Sequence, residues 1–120
     1  MATVVAIVDD LFFVARIAET AKQVGAPLTV VRAADFRPED FRPQKPSLVI
    51  FDLNTTSGNA VELIRQLKAD AELAAIPVIG FFSHVQVELE RAARAAGCDQ
   101  VLPRSKFTAS LPEILRRANT

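Results

Sequence analysis

The 120-residue sequence has no tryptophan, no tyrosine, one cysteine, one histidine and only four glycines. Each shortage excludes something. The single Cys98 rules out an internal disulfide framework, and a metal site built on thiolates needs more sulfurs than one. It fits a reducing compartment, so a cytoplasmic location is expected, with Cys98 itself as small core filler. His84, the lone imidazole, reads as a solvated loop residue rather than a general base or metal ligand. With no tyrosine or tryptophan to stack on a ring, and no loop rich in glycine and hydroxyl residues, a flavin site has no support. There is no charge imbalance either: 14 basic and 14 acidic side chains cancel, so no global field favours nucleic acid, an anionic membrane or a basic partner. No apolar stretch approaches the ~20 residues that a spanning helix requires. The opening run Met1 to Val8 is short, lacks a basic leader and runs straight into Asp9 and Asp10, unlike a secretion signal.

What is present is a half-apolar chain of the size of one domain, so residues 1–120 are expected to fold around a sizeable core. Continuous β-branched and apolar runs predict buried strands at Thr3 to Val8, Leu28 to Val31, Ser47 to Phe51, Pro77 to Phe82 and Gln100 to Leu102. Helical spacing predicts helices at Leu11 to Val24, Ala60 to Ala69, Val85 to Ala96 and Leu111 to Ala118, with Gly25 and Gly97 placed to stop two of them. Residues Ala34 to Pro46 carry Pro38, Pro43 and Pro46, which predicts a short, partly irregular crossover. Strict β/α alternation implies an α/β fold: a doubly wound, five-stranded parallel sheet with helices on both faces and five crossovers.

In such a sheet the ligand site lies outside the carboxyl ends of the strands. Asp9 and Asp10 fall at the end of the first strand, Asp52 at the end of the third, Ser83 with His84 at the end of the fourth, and Arg104 just beyond the fifth. Clustered carboxylates repel unless a hard cation or a basic side chain neutralises them, and magnesium is the natural cation for an all-oxygen donor set. Each residue also has a plainer role open to it. Asp9, Asp10 or Ser83 at a strand end can simply cap the following helix. Asp52 is less easily read that way, because Leu53 to Asn59 reads as a loop. Glu88, Glu90, Arg91 and Arg94 read as a solvated helix face.

The segments Val5-Ala6-Ile7-Val8-Asp9-Asp10 and Leu48-Val49-Ile50-Phe51-Asp52-Leu53-Asn54, with Ile76-Pro77-Val78-Ile79 leading to Ser83, closely resemble receiver domains of two-component response regulators. The resemblance spans essentially the whole chain and implies the flavodoxin-like strand order 2-1-3-4-5. It further implies Asp52 as phosphoacceptor, Asp10 as a direct magnesium ligand, Asp9 as a ligand through water, Asn54 as a ligand through its carbonyl, and Ser83 as switch hydroxyl. A histidine kinase or histidine phosphotransfer protein is the implied donor, and a downstream protein the implied target. Any enzymatic activity would be limited to self-phosphorylation from a phosphohistidine donor and autodephosphorylation.

Departures from the family pattern are also readable. Where the family has a lysine followed by a cis proline, this chain has Arg104 then Ser105, with Lys106 able to take the role if two residues are inserted. Thr55-Thr56 replaces Met-Pro, Asn59-Ala60 replaces Asp-Gly, and Val101 replaces the switch aromatic. Phe12 and Phe13 stand where smaller or polar residues are common, one suited to burial and the other to an apolar contact surface. Two functions follow: a phosphorylation-dependent receiver, or a pseudo-receiver acting as a phosphorylation-independent interaction module. The face near Ala92, Ala95 and Ala96 would permit a homodimer. The run Phe51 to Thr56 also looks like the first motif of haloacid dehalogenase phosphatases. That family needs an acid where Asn54 stands, and a longer chain.

Overall fold

Side chains alternate across each strand, and this alternation builds two apolar layers. The computed structural model describes residues 3–83 and 86–119. Five strands form, β1 (Val4–Ile7), β2 (Leu28–Val31), β3 (Leu48–Asp52), β4 (Val78–Phe82) and β5 (Gln100–Pro103), together with helices α1 (Leu11–Val24), α2 (Ala60–Ala69), α3 (Val87–Ala95) and α4 (Arg104–Ala118). Every neighbouring pair is parallel, in the expected order β2-β1-β3-β4-β5.

On one face Val5, Ile7, Val49, Phe51, Val78 and Phe82 pack with Ile64 and Leu67 of α2 and Ala93 of α3. On the other, Val4, Ala6, Ile50, Ile79 and Phe81 pack with Phe13 and Ile17 of α1 and with Phe107, Leu111 and Leu115 of α4. The central strands are therefore apolar on both sides, as a parallel sheet covered twice demands. Each Val, Leu, Ile or Phe side chain so buried stabilises the fold by about 1.5–3 kcal/mol relative to exposure. Gly25 closes α1 in the left-handed region (φ 73°), its N–H donating to the carbonyls of Ala21 and Lys22. Gly97 takes φ 109° just after α3.

Three expectations need correction. The first is the count of five crossovers: the second one, short and irregular as its prolines predict, is filled by two 3-10 turns, Ala33–Asp35 and Pro38–Phe41. Phe36 stacks on Phe41 at 5.5 Å and meets the edge of Phe51 at 5.7 Å, so two rings cover what a helix would otherwise cover. Four helices flank the sheet among the described residues. Second, the last helix begins at Arg104, well before Leu111. Its early turns are polar, and only the stripe Phe107, Leu111, Leu115 betrays the helix. Third, Ala96 caps α3 and is buried in the core, so it does not share the exposed face of Ala92 and Ala95. His84 and Val85, the expected loop imidazole and helix start, lie outside the described residues.

Candidate functional site

Parallel pairing sets Ile7 beside Phe51 and Asp52 beside Phe81, so the carboxyl ends of β1, β3 and β4 finish side by side. Strand order reverses between β1 and β3, which leaves a crevice there. A cleft of about 290 Å³ opens at this edge, lined by Asp9, Asp10, Asp52, Asn54, Thr55, Thr56 and Ser83.

Asp52 is the one buried charged side chain among the described residues, 8% exposed. Its Oδ1 accepts the Asn54 N–H at 2.8 Å, a local turn that holds the carboxylate at the cleft instead of capping a helix. Burial pushes the carboxyl above its ordinary range, and the negative charges of Asp10 and Asp9 push the same way. The Asn54 N–H and the Arg104 charge oppose them without prevailing.

The other two carboxylates are engaged differently. Asp10 caps α1: its Oδ1 accepts N–H bonds from Phe12 (2.9 Å) and Phe13 (3.3 Å). The plainer role is thus present, but it occupies only one oxygen. Oδ2 lies 3.4 Å from an Arg104 Nη. The Phe13 N–H is the main reason that Asp10 is held below the usual carboxylate range, with Phe12 and Arg104 adding to it. Asp9 caps nothing. It accepts the Ala33 N–H at 3.1 Å and the Ser57 N–H at 3.0 Å, tying the first 3-10 turn and the loop after β3 to the end of β1. Burial raises the Asp9 carboxyl, but the Ser57 hydroxyl, these two N–H groups and Arg32 outweigh it and hold the group low.

Asn54 bridges the cleft, its Oδ1 accepting the Ser83 N–H at 2.8 Å and its Nδ2 donating to Gln86 Oε1 at 2.6 Å. Ser83 is exposed and lines both this cleft and a wider neighbouring groove of about 720 Å³ that includes Phe13, Arg16, Arg104 and Ser105. Arg104 is the cation beside the carboxylates. It is the first residue of α4, and its guanidinium carbon sits 4.1 Å from the centre of the Phe13 ring. Lys106 points into a different groove, with Leu102, Ala109 and Glu113. Of the two aromatics after the acidic pair, Phe13 is buried in the core and Phe12 is 91% exposed.

Sequence reading missed Ser57 and Gln86, and it missed Phe13 as a seat for Arg104. Ser57 meets Asp9 across a separation of 48 residues and Gln86 meets Asn54 across 32, pairings that no local spacing announces. The donor set facing the cleft is all oxygen, which suits a hard cation. Among the described residues no three carboxylates converge into a ready-made cage. Mg²⁺ keeps several waters and is usually held by one or two carboxylates, so Asp10 and Asp52 on one cleft suit that habit.

No family model and no curated protein matches the chain. Solved structures do match it. A response regulator from Hahella chejuensis superimposes with a TM-score of 0.86 at 17% identity, over 100% of this chain and 96% of that one. The phosphorylated cyanobacterial phytochrome response regulator RcpA gives 0.79 at 17% identity, covering 97% and 89%. The Mn²⁺-bound form of response regulator Rcp1 gives 0.75 at 16% identity, covering 98% and 91%. The fold is that of CheY-like response regulator receivers. No described helix is long and apolar enough to cross a membrane.

Proposed function

We propose that this chain, as a single cytoplasmic domain, is a response-regulator receiver in a two-component phosphorelay, taking a phosphoryl group onto Asp52 with Mg²⁺ and signalling through protein contacts. The observation that carries the reading is Asp52 itself. It is a buried carboxylate at the carboxyl end of the central strand, free of any capping duty, on one cleft with Asp9, Asp10, Asn54 and Ser83. A carboxylate that stability alone would disfavour is the kind of group found at functional sites.

The chemistry is a displacement at phosphorus. A carboxylate oxygen of Asp52 attacks a phosphohistidine phosphorus, the P–N bond breaks, and the imidazole leaves and takes up a proton, so that an acyl phosphate remains on Asp52. Asp10, Asp52 and the Asn54 carbonyl would hold the Mg²⁺, with Asp9 acting through water. When bound, that ion spreads the negative charge of the transferred oxygens. The Ser83 hydroxyl supplies a donor at the cleft, and Arg104, beside Asp10, supplies a positive charge that acts on Asp52. The donor is a histidine kinase or histidine phosphotransfer protein, and the output passes to a downstream protein.

One observation favours the pseudo-receiver instead. Arg104 is parked on Phe13 and Asp10, while Val101, in place of a switch aromatic, is buried in the core. Incubation with Mg²⁺ and acetyl phosphate, read by intact mass, separates the two. A single phosphoryl adduct that needs Mg²⁺ and is absent in Asp52→Asn is the expected result. Absence of both an adduct and Mg²⁺ binding would reject the receiver reading in favour of a constitutive interaction module.

A further inference from the structure

We propose that Arg104 couples the acidic cleft to the α1–α4 face: a divalent cation on Asp10 displaces it from its seat on Phe13, and the first turn of α4 responds. The inference rests on the metal reading above and extends it to Phe13, Phe81 and Phe107, which that reading leaves idle.

The geometry sets the two cations in competition. Asp10 Oδ1 is committed to the Phe12 and Phe13 N–H groups, so Oδ2 is the oxygen open to a cation, and Arg104 lies on it at 3.4 Å. Two cations on one carboxylate oxygen repel each other. The pair is half exposed, with side-chain exposures of 36% and 41%, so it holds weakly enough to be displaced.

The seat is connected to the core. Phe13 lies 4.8 Å from Phe81 and 5.9 Å from Phe107, and those two rings stack at 4.6 Å. Arg104 and Phe107 are both on the first turn of α4, so the guanidinium and one ring of the stack move with the same backbone. The groove lined by Arg16, Ser83, Ser105 and Thr108 leaves room for a released guanidinium. On β5, Val101 packs on the opposite face of the sheet, so it cannot carry this link.

The test is a Mg²⁺ titration of the full chain followed by NMR, comparing wild type with Arg104→Gln. In wild type, the ring-shifted Arg104 Nε–H resonance and the amides of residues 104–108 are expected to move together with those of Asp52 and Asn54. In Arg104→Gln, Mg²⁺ is expected to bind about tenfold more tightly, the scale of removing one unit charge near a divalent ion in water-like surroundings. The responses at 104–108 are expected to vanish while those at Asp52 and Asn54 persist. Equal or weaker binding in the variant, or undiminished shifts at 104–108, would overturn the coupling and leave the metal reading standing. No Mg²⁺ response at Asp52 in either protein would instead overturn the metal reading, and the coupling with it.

Discussion

Asp52→Asn is expected to stabilise the metal-free protein at pH 7 by about 1–2 kcal/mol, because it removes a buried charge while keeping the side-chain shape. Burying an ion carries an effective penalty of several kcal/mol. Here the remaining exposure of 8%, the Asn54 N–H and the Arg104 charge offset part of it. Asparagine keeps an oxygen for that N–H, but the bond changes from charge-assisted to neutral, a loss of about 1 kcal/mol. The net gain corresponds to roughly 4–8 °C in melting temperature for a domain of this size. With neither tryptophan nor tyrosine present, unfolding is followed by far-UV circular dichroism or calorimetry, in EDTA. The pH dependence supplies the sharper check. The Asp52 carboxyl is raised in the folded state, so its cost is full at pH values well above that raised value. It declines as pH falls through the folded value and disappears below the ordinary value of the unfolded chain. The advantage of the variant should therefore be present at pH 7 and gone near pH 3. An unchanged or lower melting temperature at pH 7, or an advantage that survives at pH 3, would refute the reasoning.

Asp9→Ala should cost about 2–3 kcal/mol at pH 7, since the Ala33 and Ser57 N–H groups lose a charged acceptor. Asp9 is held below its ordinary value when folded, so its contribution is present above the unfolded value and lost as pH falls through the folded one. Urea midpoints at pH 7 and pH 3 should show the penalty shrinking in acid. Gly97→Ala should be worse than Gly25→Ala, although both residues have positive φ. A methyl at Gly25 meets nothing within 4 Å and adds about 1–2 kcal/mol of left-handed strain, whereas one at Gly97 would sit 2.7 Å from Lys68 Cγ. Lys68 cannot easily yield, because its Nζ donates to the carbonyls of Ala74 and Ile76 and to Asp99. Equal denaturant midpoints for the two variants would contradict this.

The parallel strands and both layers were legible because their determinants are local, whereas the strand order was implied by the family resemblance. Short runs such as Leu48 to Phe51, rich in β-branched and aromatic residues, read as doubly buried strands, and the spacing in Leu11–Val24 and Ala60–Ala69 predicts amphipathic helices with those very bounds. Alternation then leaves few topologies, and all of them put Asp9, Asp10, Asp52 and Ser83 at one edge. The start of α4 was not legible, since Arg104 to Ser110 offers only Phe107 as a large apolar marker. The replacement of the second crossover helix was only half legible: the prolines announced the break, but the packing of Phe36 and Phe41 did not.

The roles of the site residues divide along the same line. That carboxylates would gather at the strand ends follows from sequence alone, because chain connectivity and strand length dictate where each strand stops. How their charge is distributed does not. Which cation meets the second Asp10 oxygen, which backbone N–H groups hold Asp9, and whether Arg104 or Lys106 meets the acids depend on contacts between residues far apart in the chain. The Arg104 to Asp10 contact spans 94 residues. Such contacts exist only once the sheet has brought β1 and the start of α4 together, so only the tertiary structure could decide them.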